Sequence, residues 1–310
     1  MLALRLLAII PPLIFPAAFA QAVPDSDLNV PPGHIRIPVL VTDKHVQAVA
    51  GLHEEDFKVI DNGKPAPIAA FLTLSAAPPG QAHFTVFYLD DRRLTMEETN
   101  TARQDVDAAL YTALDSNGYV AVVTGTGSVN SGFSRDPVQL RKTLASIQAN
   151  AFAAQGTRAH NFDLIGTYAS LADYASRMSK LPGRRLLVLL SPGFSADFPE
   201  IRSAAAASID RIVQAGVVVN SFNPQDSSFV TQSEDNIALE ELSSATGGSF
   251  SLSPQLHAEL THYPELLYLL DIPLSSIRSD GSSHKLKIVV SGTGNRIHAR
   301  ENFIAPKSSK

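Results

Sequence analysis

Cysteine is absent from all 310 residues. That excludes a disulfide framework, thiolate metal centres, cysteine nucleophiles and lipid attachment through a terminal cysteine. Tryptophan is absent too, so an apolar core has to be built from Leu, Val, Ile and Phe. There is no basic surplus: 25 Lys and Arg stand against 30 Asp and Glu, a net charge of −5. Nucleic acid, which wants a basic surface, is therefore not expected as a partner. The nucleotide and hydrolase signatures are missing as well. Gly125-Thr126-Gly127 lacks the third glycine of a dinucleotide loop, and no G-x-x-x-x-G-K-[ST] string exists. Gly193-Phe194-Ser195-Ala196-Asp197 lacks the closing glycine of a nucleophile elbow. His53 has no second histidine at zinc spacing, and His257 and His262, five apart, do not share a helical face; these histidines read as surface groups.

What is present is ordinary globular material, 45% hydrophobic and 18% charged, enough for one large domain or two smaller ones. Residues 1–20 read as a signal peptide: Arg5, an apolar stretch from Leu6 to Phe15, then Ala18-Phe19-Ala20 as the cleavage site. A membrane anchor is the alternative, but Pro11, Pro12 and Pro16 interrupt a run that must reach about 20 apolar residues to span. No later run is long enough, so no transmembrane segment is expected after cleavage, and the product is expected to be secreted or periplasmic.

A flexible lead-in over residues 21–33 precedes a β-rich segment, 34–76, in which Asn62-Gly63 suits a tight hairpin. Between residues 82 and 258 the rhythm becomes strand–helix alternation. Phe84–Leu89, Tyr119–Val123, Leu186–Leu190 and Val217–Val219 are continuous apolar runs, as in strands buried on both faces of a parallel sheet. Helices start at the capping box Thr95-x-x-Glu98 and at Asp136-Pro137, and Gly247-Gly248 marks a helix end. Residues 265–305 return to β character. The expected fold class is α/β: a doubly wound, mostly parallel, Rossmann-like sheet flanked by helices, with a small β-sandwich-like domain from the N- and C-terminal segments. Separate β elements at the two ends remain the alternative.

Asp90-Asp91 follows the first buried strand of the α/β block at its carboxyl end, the edge where open α/β sheets bind ligands. Thr124, Ser191 and Asn220 are expected to end later strands on the same edge. The plainer alternative has one carboxylate capping a turn and the other solvated.

Five strings in order, VTDKHVQAVAGLHEEDFKVIDNGKPAPI, FTVFYLDD, GRRLLVLLSPGF, ELSSATGGSF and YLLDIP…DGSSHKLKIVV…IHARENF, cover nearly the whole chain after the leader. With them the chain resembles the bacterial secreted "VWFA-related" proteins, and residues 82–258 a von Willebrand factor type A domain. The resemblance implies a non-enzymatic interaction or adhesion module acting through the top face of that domain. It also implies a site for Mg²⁺ built from D-x-S-x-S, a distant threonine and a distant aspartate. Here those positions read Asp90, Arg92, Leu94, Thr157 and Pro192, so two of five ligand positions remain and Asp91 is a possible substitute. No cofactor is therefore expected; Arg92 or Arg93 is expected to pair with Asp90 or Asp91. Candidate contacts for an unknown protein or matrix partner are Asp90, Asp91, Arg92, Arg93, Thr157 and Ser191. A periplasmic hydrolase using Asp90 and Asp91, or a purely structural envelope component, are the alternatives.

Overall fold

The structure, a computed structural model, describes residues 30–75, 80–150, 157–194, 198–225, 234–252, 257–278, 280–292 and 294–305. The expected signal peptide and most of the lead-in lie outside these residues.

Five parallel strands form the central sheet: β5 (His83–Leu89), β6 (Gly118–Thr124), β7 (Arg184–Leu190), β8 (Val217–Phe222) and β9 (Phe250–Ser251). They lie in the order β6-β5-β7-β8-β9. Side chains alternate between two cores, which is why the strands read as unbroken apolar runs. Phe84, Val86 and Tyr88 of β5 face one core and Phe87 and Leu89 the other. The first core is closed by α3 (Thr157–Met178), α4 (Pro199–Gln214) and α5 (Glu234–Thr246). The second is closed by α1 (Met96–Ala113) and α2 (Pro137–Ala145). Helix starts follow the sequence signals: the Thr95 hydroxyl accepts from the Glu98 N–H at 3.2 Å while the Glu98 carboxylate accepts from the Thr95 N–H at 2.8 Å. The chain runs from β6 across to β7 on the other side of β5, so the order reverses between β5 and β7. A crevice opens outside their carboxyl ends at such a point.

The terminal β segments pair with each other. One antiparallel sheet is ordered β12-β1-β10-β4, from Arg296–Ala299, His34–Thr42, Leu266–Pro273 and Ala70–Ser75; the other is β13-β11-β2-β3, from Asn302–Ile304, Ser283–Val290, Phe57–Asp61 and Lys64–Ala66. Ile37 and Val39 of β1, Leu270 of β10, Val59 of β2 and Leu286 of β11 share one core, so the two sheets pack face to face as a sandwich. The opposite face of the first sheet packs on the α/β block: Leu267 and Leu269 of β10 belong to its second core, and Leu40, Leu72 and Leu74 lie against it. On that face Arg36 and Asp271, register partners on β1 and β10, form a buried bidentate pair with bonds of 2.7 and 2.8 Å. Arg36 also borders a narrow gap beside Val217, the first residue of β8, and Tyr263. The sandwich thus sits at the amino ends of the parallel strands, and the carboxyl ends point away from it. Among the described residues no helix is long and apolar enough to cross a membrane.

Candidate functional site: the rim at the sheet's switch point

Asp90 is the first residue beyond β5 and Ser191 the first beyond β7. The ladder carries over both: Asp90 N–H donates to Leu190 O at 2.9 Å and Ser191 N–H to Phe222 O at 3.0 Å. Asp90, Asp91 and Ser191 are fully buried. A buried carboxylate needs its lone pairs filled, and each aspartate finds different partners. Asp90 accepts from the Arg93 Nη1 at 3.1 and 2.8 Å and from the Ser191 hydroxyl at 2.8 Å. Asp91 accepts from the Thr126 N–H at 2.8 Å, the Thr126 hydroxyl at 2.5 Å and the Asn150 amide at 3.2 Å. Asp91 therefore fastens the loop after β6, while Asp90 belongs to a charged network at the crevice.

That network centres on Arg93, whose side chain is 11% exposed. Its Nη1 also donates to the Thr167 hydroxyl at 3.0 Å, its Nη2 to Asp163 at 2.5 Å, and its guanidinium carbon lies 5.5 Å from the Phe194 ring centroid. Phe194, buried in the first core, follows the turn at Gly193, where φ is +91° and a Cβ would lie 2.6 Å from Asp235 O. Arg92 points outward, 45% exposed, donating to Gly125 O at 3.2 Å and Asp163 at 3.3 Å. Leu94 is fully buried in the core beneath α1.

Two of the expectations drawn from the sequence are corrected here. Asn220 does not end a strand: β8 runs on to Phe222, and the Asn220 amide instead donates to the carbonyls of Leu260 and His262 at 3.1 and 2.8 Å. Asn223 is the polar residue beyond that strand, donating to Pro192 O and Asn236. Thr157 is the first residue of α3, and its side chain lies outside the described residues. The plainer alternative of one solvated carboxylate does not hold either, because Asp90 and Asp91 are both fully buried. Asp163, Thr167, Thr126 and Asn150 were missed. Asp163 and Thr167, four apart on α3, share a helical face, and a carboxylate on a core-facing stripe was the available signal.

Burial pushes the Asp90 carboxyl above its ordinary value; Arg93 and Ser191 pull it back, and Asp163 adds to the rise. The folded state then binds a proton more tightly than the unfolded chain, so stability owed to Asp90 is present at low pH and falls as pH rises from 3.8 through the raised value. Tyr88, Arg93 and Asp163 are the titratable groups acting on it there. In urea unfolding across that interval, the stability of the wild type relative to Asp90→Asn should fall with rising pH. A flat difference would contradict the shift.

No family model matches the sequence, and no curated protein matches it. Among solved structures, the chain is similar to an aerotolerance-related membrane protein from Bacteroides fragilis, at 12% identity and a TM-score of 0.39, over 58% of this chain and 94% of that one. BatB from Bacteroides thetaiotaomicron overlaps at 11% identity and 0.38, over 57% and 94%. The pilus adhesin SpaC from Lactobacillus rhamnosus GG overlaps at 7% identity and 0.43, over 81% and 48%. At such scores the architecture rests on the strand pairing described above.

Proposed function

We propose that the chain is a secreted, non-enzymatic interaction module whose α/β block is type A-like and meets a protein or matrix partner at its upper rim. The observation that carries this is the layout: the sandwich occupies the amino ends of the parallel strands, so the switch-point rim is the end turned outward. Asp90, Asp91 and Ser191 are buried and shape the rim's loops from beneath. The surface offered to a partner is Arg92 with the exposed Met96 and Phe198.

The side chains at this rim do not fit magnesium, which wants about six oxygens near 2.1 Å. Both Asp90 oxygens accept from Arg93, Leu94 is committed to the core, and Pro192 has no carboxylate to give. A hydrolase built on Asp90 and Asp91 draws support from the raised Asp90 carboxyl. Against it, both aspartates are fully buried and their oxygens already accept from Arg93 and Ser191 at Asp90 and from Thr126 and Asn150 at Asp91.

Photoreactive residues at Met96 and Phe198 should crosslink one partner from the envelope or medium of the source cell, and one at Val289 of the sandwich should not. Arg92→Glu should lower that yield by roughly tenfold or more, the effect of losing a central charged contact. Equal yields from rim and sandwich, or no partner at either, would favour a structural envelope component.

A further inference from the structure

The Arg93 guanidinium sits where oxygen atoms converge from segments distant in sequence. Nη1 has both Asp90 oxygens and the Thr167 hydroxyl within 3.1 Å, and Nη2 has an Asp163 oxygen at 2.5 Å. Asp90 belongs to the loop after β5, Asp163 and Thr167 to α3. Phe194, which takes the guanidinium face, belongs to the loop after β7. One cation therefore joins the three segments that frame the crevice.

Oxygen donors of this kind, two carboxylates and a hydroxyl, are what hard divalent ions take. Asp90 and Thr167 stand 2.8–3.1 Å from Nη1, and Asp163 stands 2.5 Å from the other nitrogen, Nη2. With the guanidinium gone, the three groups would have to draw in toward one centre to reach the roughly 2.3–2.6 Å that calcium takes from its oxygens. The planar guanidinium holds two carboxylates at once through separate N–H groups, which a lysine ammonium would not match. We propose that Arg93 is the resident cation of the rim, fixing its three segments without a metal, and that its removal uncovers a divalent-ion site made by Asp90, Asp163 and Thr167. This rests on the reading above that the rim works without a metal ion.

The test uses the full chain after its leader, with Mn²⁺ and Ca²⁺ as the ions. For the wild type, melting should be the same with chelator as with either ion, and Mn²⁺ titration followed by electron paramagnetic resonance should not saturate at the rim. Arg93→Ala should melt lower, bind Mn²⁺ at least about tenfold more tightly than the wild type, and regain melting temperature when Ca²⁺ or Mn²⁺ is added. Adding Asp163→Asn to Arg93→Ala should remove both gains. Saturable, Asp90-dependent binding by the wild type would overturn the metal-free reading itself. No gain in ion binding by Arg93→Ala would overturn only the resident-cation proposal. If Arg93→Ala does not fold without ions, recovery of folding by Mn²⁺ supports the cage. Failure of Mn²⁺ to fold it, together with no binding by Arg93→Gln, counts against it.

Discussion

Arg36→Ala should destabilise the protein by about 3–5 kcal/mol, the usual cost of breaking a buried ion pair by removing one partner. Arg36 and Asp271 are 3% and 0% exposed, and both Asp271 oxygens accept from the one guanidinium. Without Arg36 the carboxylate stays buried with its cation gone and can only protonate or draw in water, and either costs free energy at neutral pH. Urea unfolding at neutral pH measures the loss directly. Because the sheet carrying the pair packs on the sandwich core on one face and the α/β core on the other, the transition should stay single while its midpoint falls. The converse holds for an apolar replacement: Arg36→Met with Asp271→Leu should recover most of the loss, since two buried charges cost as much to desolvate as their attraction returns. A loss under about 1 kcal/mol would mean that water reaches the pair.

That pair also marks what the sequence made legible and what it left out. HIRIPVLV and LLYLLDIP are strand-like, and a lone charge in each signals a site that must be neutralised if the strand is buried on both faces. Which charge answers which depends on the register His34↔Pro273 to Val39↔Tyr268, fixed by strands over 220 residues apart. The parallel strands were readable because burial on both faces removes polar alternation. The reversal between β5 and β7 appears only in the strand order, and it brings Asp90 against Ser191, two residues expected on one edge.

The rim's chemistry was harder to read. That an arginine would neutralise an aspartate followed from the composition of Asp90-Asp91-Arg92-Arg93. That Arg93 turns inward and Arg92 outward follows from Asp163, Thr167 and Phe194, which reach the crevice from two other segments. The Asn220 error has a local cause. VVVNSF stays strand-like past its apolar run because Asn220 and Ser221 are buried by the chain that turns back over β8, not by apolar neighbours.

That returning chain carries the second large effect. Gly248→Ala should cost about 3 kcal/mol or more, the upper range for overpacking against backbone. A Cβ on Gly248 would lie 2.0 Å from Val219 O and 2.8 Å from Asn220 Oδ1, and β8, in the middle of a packed sheet, has no direction in which to yield. The closeness is what makes β9 possible: Ser249 N–H donates to Asn220 Oδ1 at 3.0 Å and Ser249 O accepts from Ser221 N–H at 3.0 Å, so the chain lies against β8 before Phe250 pairs with it. At about 2–4 °C per kcal/mol for a chain of this size, melting should fall by roughly 6–12 °C. Gly166 in α3 supplies the contrast. Nothing lies within 4 Å of a Cβ built there, so Gly166→Ala should be neutral or stabilising by up to about 1 kcal/mol through helix propensity. If both substitutions were tolerated alike, the close contact between residue 248 and β8 would not exist in solution, and β9 would lose its place as the fifth strand.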